Sequence, residues 1–163
     1  VELGLNQLYG GQEKYALVEV SVPPAKPDEV REIAVANIRY QDAVTQEALI
    51  ARADVSVRFS LDEQQVISSA NPEVQHEYAR NVIAMAKDKS VDLMDQGSNS
   101  AAVANLRQVR EQLQQTAEQY GYDLDGDLAE LEEQAEKLEK DGMGKADRKR
   151  MRTDSYQIRN QQK

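Results

Sequence analysis

One stretch constrains the fold of this chain more than any other. Leu49, Ala51, Ala53, Val55, Val57 and Phe59 alternate with Arg52, Asp54, Ser56, Arg58 and Ser60. A period of two sustained over that length describes a strand with one dry face and one wet face. Antiparallel sheets allow this arrangement, whereas buried parallel strands tend to be apolar throughout. The same period recurs upstream. Ala34, Ala36, Ile38 and Tyr40 fall together, opposite Ile33, Val35, Asn37 and Arg39, and Ala16, Val18, Val20 and Val22 alternate with Glu19 and Ser21. A shorter strand is expected near Glu2 to Leu5, joined to the next by Gly10-Gly11. Pro23-Pro24 and Pro27-Asp28 make a stiff loop that cannot continue a central strand, and Asp42 to Gln46 is a hairpin loop. Residues 1–61 are therefore predicted to be an antiparallel β-meander whose apolar face needs a cover, from helices or from a second sheet.

The period changes over residues 62–163. Asn71 and Pro72 suit an N-cap and the first helical position, and a helix is predicted from there to about Asp95, stopped by Gly97. Its stripe is Val74, Tyr78, Ala79, Val82, Ile83, Ala86, Leu93 and Met94. From about Ala101 to Tyr120, Ala102, Leu106, Val109, Leu113, Ala117 and Tyr120 recur at steps of three and four, with Gly121 as the stop. A third helix is expected from Asp127, where Asp127 and Glu130 match a capping box, burying Leu128, Leu131, Ala135 and Leu138. Gly142 and Gly144 break it, and a short helix follows from Lys145 to Thr153. Short connections make neighbours antiparallel, so this half is expected to be a bundle of three to four helices with a basic C-terminal tail. The predicted class is α+β.

Composition removes whole classes of function. The 163 residues contain no Cys, which excludes disulfides, thiolate metal sites and a Cys nucleophile. A single His and no Trp leave few of the groups that carry chemistry. No apolar run approaches the roughly 18 residues of a membrane span. The net charge of −9 speaks against nucleic acid as a partner. That charge is uneven: Asp123 to Asp141 carries −7, and Lys145 to Lys163 carries +5. The acidic helix and the basic tail are expected to pair with each other, and Arg148-Lys149-Arg150-Met151-Arg152 reads as a solvated helix face ahead of a polyanion patch.

Each near-motif fails at a named residue. Asp123-Leu124-Asp125-Gly126-Asp127 begins like a calcium loop, but an EF-hand needs Gly where Leu128 stands and Glu where Gln134 stands. His76 has Glu73 and Glu77 beside it, short of the ligands that zinc requires. No Ser is paired with a usable base, no Gly-rich phosphate loop is present, and the helical carboxylates lie on polar faces. The reading assigns no catalytic, cofactor-binding or metal-binding residue, and no cofactor.

Several segments together resemble a known group. Leu8-Tyr9-Gly10-Gly11-Gln12-Glu13-Lys14-Tyr15 before an alternating strand is similar to the segment that follows the metal-binding domain in bacterial proteins with a von Willebrand factor type A domain. Such proteins are often labelled calcium-activated chloride channel or inter-alpha-trypsin inhibitor heavy chain homologues. Val35 to Tyr40, Asn71-Pro72-Glu73-Val74 and Ala86 to Gly97 continue the pattern in order. The ending Arg148-Lys149-Arg150-Met151-Arg152-Thr153-Asp154-Ser155-Tyr156-Gln157-Ile158-Arg159 is similar to their C-terminal Arg/Lys-x-Ser-Tyr-x-x-Arg pattern. The resemblance implies a type A domain upstream, so its metal ligands have no positions here. Asp54-Val55-Ser56-Val57-Arg58 starts like the Asp-x-Ser-x-Ser motif of that domain, but Arg58 replaces the third ligand inside an alternating strand. An opening of Val1-Glu2-Leu3 without Met also fits a piece of a longer chain.

The resulting expectation is a non-catalytic accessory region whose β half belongs to a sandwich. It would support protein–protein contact or adhesion, with a protein partner or its own upstream type A domain. Open strand edges would favour self-association. The alternative is a tetratricopeptide-like interaction module, since Ala84 to Ala117 has the look of one such helix pair, although one copy falls short of the roughly three repeats a solenoid needs. A Cys-free chain suits an envelope or a cytosol, with the cell envelope favoured.

Overall fold

The computed structural model of the chain describes residues 1–5, 8–11 and 13–160. Gln12 of the Leu8–Tyr15 segment and Lys163 of the basic tail lie outside the described residues. The protein is α+β: two antiparallel strands form one sheet and helices follow. It divides into two compact units, Leu17–Ser68 and Val1–Ala16 with Ser69–Lys163.

In the smaller unit, β1 (Val30–Gln41) pairs with β2 (Ala48–Arg58). The register joins the two apolar rows: Ala34 opposes Val55, Ala36 opposes Ala53, Ile38 opposes Ala51, and Tyr40 opposes Leu49. A slip of one residue would turn one row to the other face, so the alternation itself selects this pairing. The ladder shifts between Glu32 and Ala34, a bulge at Ile33. Asp42 closes the loop, its carboxylate accepting from the backbone N–H of Val44 and of Thr45 at 2.8 Å each. Those two bonds hold its carboxyl below the usual carboxylate range. At the other end, Arg31 donates to Glu29 at 2.6 Å and to the Pro23 carbonyl, and its guanidinium lies 5.4 Å from the centre of the Phe59 ring. A six-residue helix, α1 (Glu63–Ser68), ends the unit.

The expected four-stranded meander is corrected to two strands among the described residues. Tyr15 to Val22 and the stretch near Glu2 to Leu5 alternate but lie in no strand. Alternation reports that a segment would have two different faces; it does not supply the neighbour whose backbone completes the ladder. Pro23, Pro24 and Pro27 add to this, since proline offers no N–H to a ladder leading into β1.

The larger unit holds α2 (Pro72–Asp95), α3 (Asn99–Tyr120), α4 (Asp125–Asp141) and α5 (Lys145–Arg159). α2 begins as read from the sequence, with the Asn71 side chain accepting from the N–H of Glu73 and Val74. α3 ends at Gly121, whose φ of 69° is the left-handed cap that only glycine adopts without strain. α3 packs on both α2 and α4, while α5 lies against α2. The buried faces are Ala79, Ile83, Ala86, Val91 and Met94 of α2, and Ala102, Leu106, Leu113 and Ala117 of α3. Leu128, Leu131, Ala135 and Leu138 of α4 and Met151 of α5 complete them. Val74 and Tyr78, expected in the α2 stripe, are half exposed. No helix among the described residues is long and apolar enough to cross a membrane.

Candidate functional site

The helical unit carries one buried charge of note. Lys87 follows Ile83 by one turn on the α2 face, where the aliphatic stem extends the apolar stripe. Its side chain is 4% exposed, and Nζ donates to Glu130 of α4 at 2.7 Å and lies 3.9 Å from Asp154 of α5. Gln134, one turn along α4, donates to the same Glu130 oxygen at 2.7 Å. Three helices thus converge on one ammonium. The cluster lines a cleft of about 1440 Å³ whose walls also include Tyr15, Glu77, Arg80 and Arg150. The Tyr15 hydroxyl donates to Glu77, and burial together with that carboxylate pushes the phenol above its ordinary pKa. One hydrogen bond to Glu130 and a longer charge contact to Asp154 tie the three helices together at this side chain.

A second cluster joins α2 to α5. Asp88, Asp92 and Asp95 line one face of α2 and meet Arg159, Arg152 and Arg148 in antiparallel order. Arg152 lies 2.9 Å from Asp92 and 3.4 Å from Asp95, and Ser155 donates to Asp88 at 2.7 Å. The basic tail therefore pairs with α2, whereas the sequence expectation paired it with the acidic helix. Of the α4 carboxylates, Glu132 and Glu139 turn to α3, where Arg107 holds them at 3.2 Å and 2.8 Å. The Arg107 guanidinium keeps the Glu139 carboxyl below its ordinary range.

The residues singled out from the sequence are placed as follows. Asp123 accepts from the Asp125 N–H at 2.8 Å and opens α4 two residues earlier than expected. No capping box forms there: Leu124 is the N-cap, Asp127 lies in the first turn, and Glu130 is drawn to Lys87. His76 Nε2 lies 4.0 Å from Asp127. Asp54 and Arg58 sit on the wet row of β2. Among the described residues no group of three or more His, Cys, Asp or Glu could hold a metal ion. Lys87 was not foreseen, although its signal is present: it and Ser90 are the polar members of the otherwise apolar series Ile83, Lys87, Ser90, Val91, Met94.

The hairpin is the other candidate surface. Its apolar row is exposed from Ala34 to Tyr40 and from Leu49 to Val55, with Ile38 at 56%, Tyr40 at 49% and Val55 at 52%, and on the opposite face Ile50 reaches 70%. Monomeric proteins seldom leave a contiguous apolar patch of this kind uncovered without a binding role. Compared with known proteins, the chain matches no family model, no curated protein and no solved structure.

Proposed function

We propose that the chain is a non-catalytic accessory region that supports protein–protein contact, of the kind that accompanies a von Willebrand factor type A domain in bacterial proteins. The observation that carries this reading is the exposed apolar row of the hairpin, Ala34, Ala36, Ile38 and Tyr40 beside Leu49, Ala51, Ala53 and Val55. A two-stranded sheet alone is marginal in water and needs a partner layer. In this reading the hairpin is part of one half of a β-sandwich, and its cover comes from a protein partner or from the upstream type A region. The helices serve as an antiparallel bundle that holds the interaction element. Arg148, Arg152 and Arg159 are engaged by the aspartates of α2, which supports a protein partner over a nucleic acid. The Lys87 cluster supports a structural role over catalysis. A location in the cell envelope goes with this reading.

Hydrogen exchange on the whole chain tests it. Diluted alone, the amides of β1 and β2 are expected to exchange far faster than those of α2, α3 and α4, and to slow when a partner layer is supplied. Hairpin amides as protected as the helices at high dilution would mean that the hairpin is complete in itself, and the reading would fall.

A further inference from the structure

Among the described residues, the wet row of β2 carries three charges without a partner: Arg52 and Asp54 near its centre and Arg58 at its end. Among the described residues, neither Arg52 nor Asp54 makes an ion pair or a side-chain hydrogen bond. Their cross-strand neighbours in the hairpin are Asn37 and Val35, which offer no opposite charge. Both sit near the middle of an eleven-residue strand that has β1 on one edge and no strand on the other among the described residues.

The backbone shows which groups face that open edge. The Phe59 N–H donates to Glu29, the Phe59 carbonyl accepts from Asp28, and the Glu47 carbonyl accepts from Asp42, all on the β1 side. The only register shift lies in β1, so odd-numbered residues of β2 turn their backbone groups toward β1 and even-numbered ones turn them outward. Outward donors and acceptors at 48, 50, 52, 54, 56 and 58 form a template for another strand.

We infer that β2 pairs antiparallel with β2 of a second copy about a two-fold axis at Ala53, joining two hairpins into a four-stranded sheet. The inference rests on the reading of the hairpin as the contact element and names its occupant. Ala53 is the midpoint of Ala48–Arg58, so this register leaves no residue of the strand unpaired. It sets Arg52 of each copy opposite Asp54 of the other, two opposite-charge pairs on one face. Residues 52 and 54, 50 and 56, and 48 and 58 then exchange backbone hydrogen bonds, and these are the outward-facing ones. Other registers are disfavoured. A shift of the pairing by one position places the apolar row against the wet row. A shift by two sets Arg52 against Arg52 or Asp54 against Asp54. In the chosen register Leu49 opposes Val57 and Ala51 opposes Val55, so the apolar face continues across the join. Ala53 meets its own copy as a non-hydrogen-bonded pair, where Cα atoms approach to about 4.5 Å and a small side chain is needed.

Charge exchange tests the register directly. Sedimentation equilibrium on the full chain is expected to show a monomer–dimer equilibrium. Arg52→Asp alone and Asp54→Arg alone each create two like-charge contacts and should weaken it by about tenfold or more, whereas the double variant restores the opposite pairs and recovers the association. Far-ultraviolet circular dichroism checks that each single variant keeps its helices. The chain has no cysteine, so cross-linking gives a second readout. Ala53→Cys should form a covalent dimer on mild oxidation, while Ala51→Cys and Val55→Cys should cross-link only when mixed. A chain that stays monomeric to millimolar concentration, an association indifferent to the charge reversals, or ready cross-linking of Ala51→Cys by itself would overturn the inference. In those cases hairpin amides that remain fast-exchanging in the isolated chain leave the broader reading standing, and slow ones remove both.

Discussion

Removing the two sides of the Lys87–Glu130 pair should cost very different amounts. The ammonium is 4% exposed, whereas the Glu130 side chain is 42% exposed and Asp154 is 29% exposed. In Lys87→Met a similar volume fills the same apolar path, and both carboxylates can turn to water. The loss is then expected to be about 0–1 kcal/mol, as for many ion pairs replaced by a packed apolar group. In Glu130→Ala the cation keeps its burial and retains only Asp154, at 3.9 Å. Breaking one side of a fully buried pair costs roughly 3–5 kcal/mol; with that residual partner and some access for water, about 2–3 kcal/mol is expected here. The double variant should fall near Lys87→Met alone, because the stranded charge is gone. Urea titration followed by helical circular dichroism at constant m-value measures all three. A Lys87→Met variant as unstable as Glu130→Ala, or a double variant with additive losses, would refute the view that the buried cation sets the cost.

Other perturbations separate the forces in the same unit. Leu131→Ala empties a fully buried position on α4 and should lower stability by about 2–5 kcal/mol in the same titration. Gly121→Ala meets no atom within 4 Å but must hold a φ of 69°, so about 1–2 kcal/mol is expected from backbone strain alone, and Gly121→Asn should cost less. The Arg107 guanidinium and the Lys137 ammonium lower the Glu139 and Asp147 carboxyls relative to their ordinary 4.5 and 3.8. Their contribution is present above those values and is lost as pH falls through the lowered ones, so thermal scans should stay flat above about pH 5 and decline below about pH 4.

Legibility from sequence followed locality. Leu128, Leu131, Ala135 and Leu138 were named from spacing alone, and all four are buried. Asn71-Pro72 marked the start of α2 because a cap and its first turn are contiguous in the chain. The pairing of β1 with β2 was legible because a short loop leaves few registers and the apolar rows choose among them. What escaped depended on partners distant in sequence. The alternation of Tyr15 to Val22 is real, yet no strand of the described residues pairs with it. α4 starts at Asp125, whose N–H donates to Asp123, and no capping box forms because Glu130, expected to serve as half of it, is bound by a lysine on another helix. The basic residues of α5 found α2 rather than α4 because packing, not the sum of charge, decides which helix lies alongside.

Where α2 meets α3, Asn105 donates to the Ala86 carbonyl at 3.0 Å and to the Ser90 hydroxyl at 2.9 Å, and Ser90 donates to the Ala102 carbonyl at 3.2 Å. All of these groups are buried, among alanines small enough to let two backbones come close. An interface of alanines alone would be nearly indifferent to sliding, because one methyl replaces another at each turn. The amide of Asn105 removes that indifference: one turn up or down, it would face methyl groups and lose both acceptors. The two helices are joined by only a short turn, so this choice is made between neighbours in the chain and can be made early in folding. A few polar atoms thus act as a detent, admitting one axial position of α3 on α2 before α4 and α5 arrive.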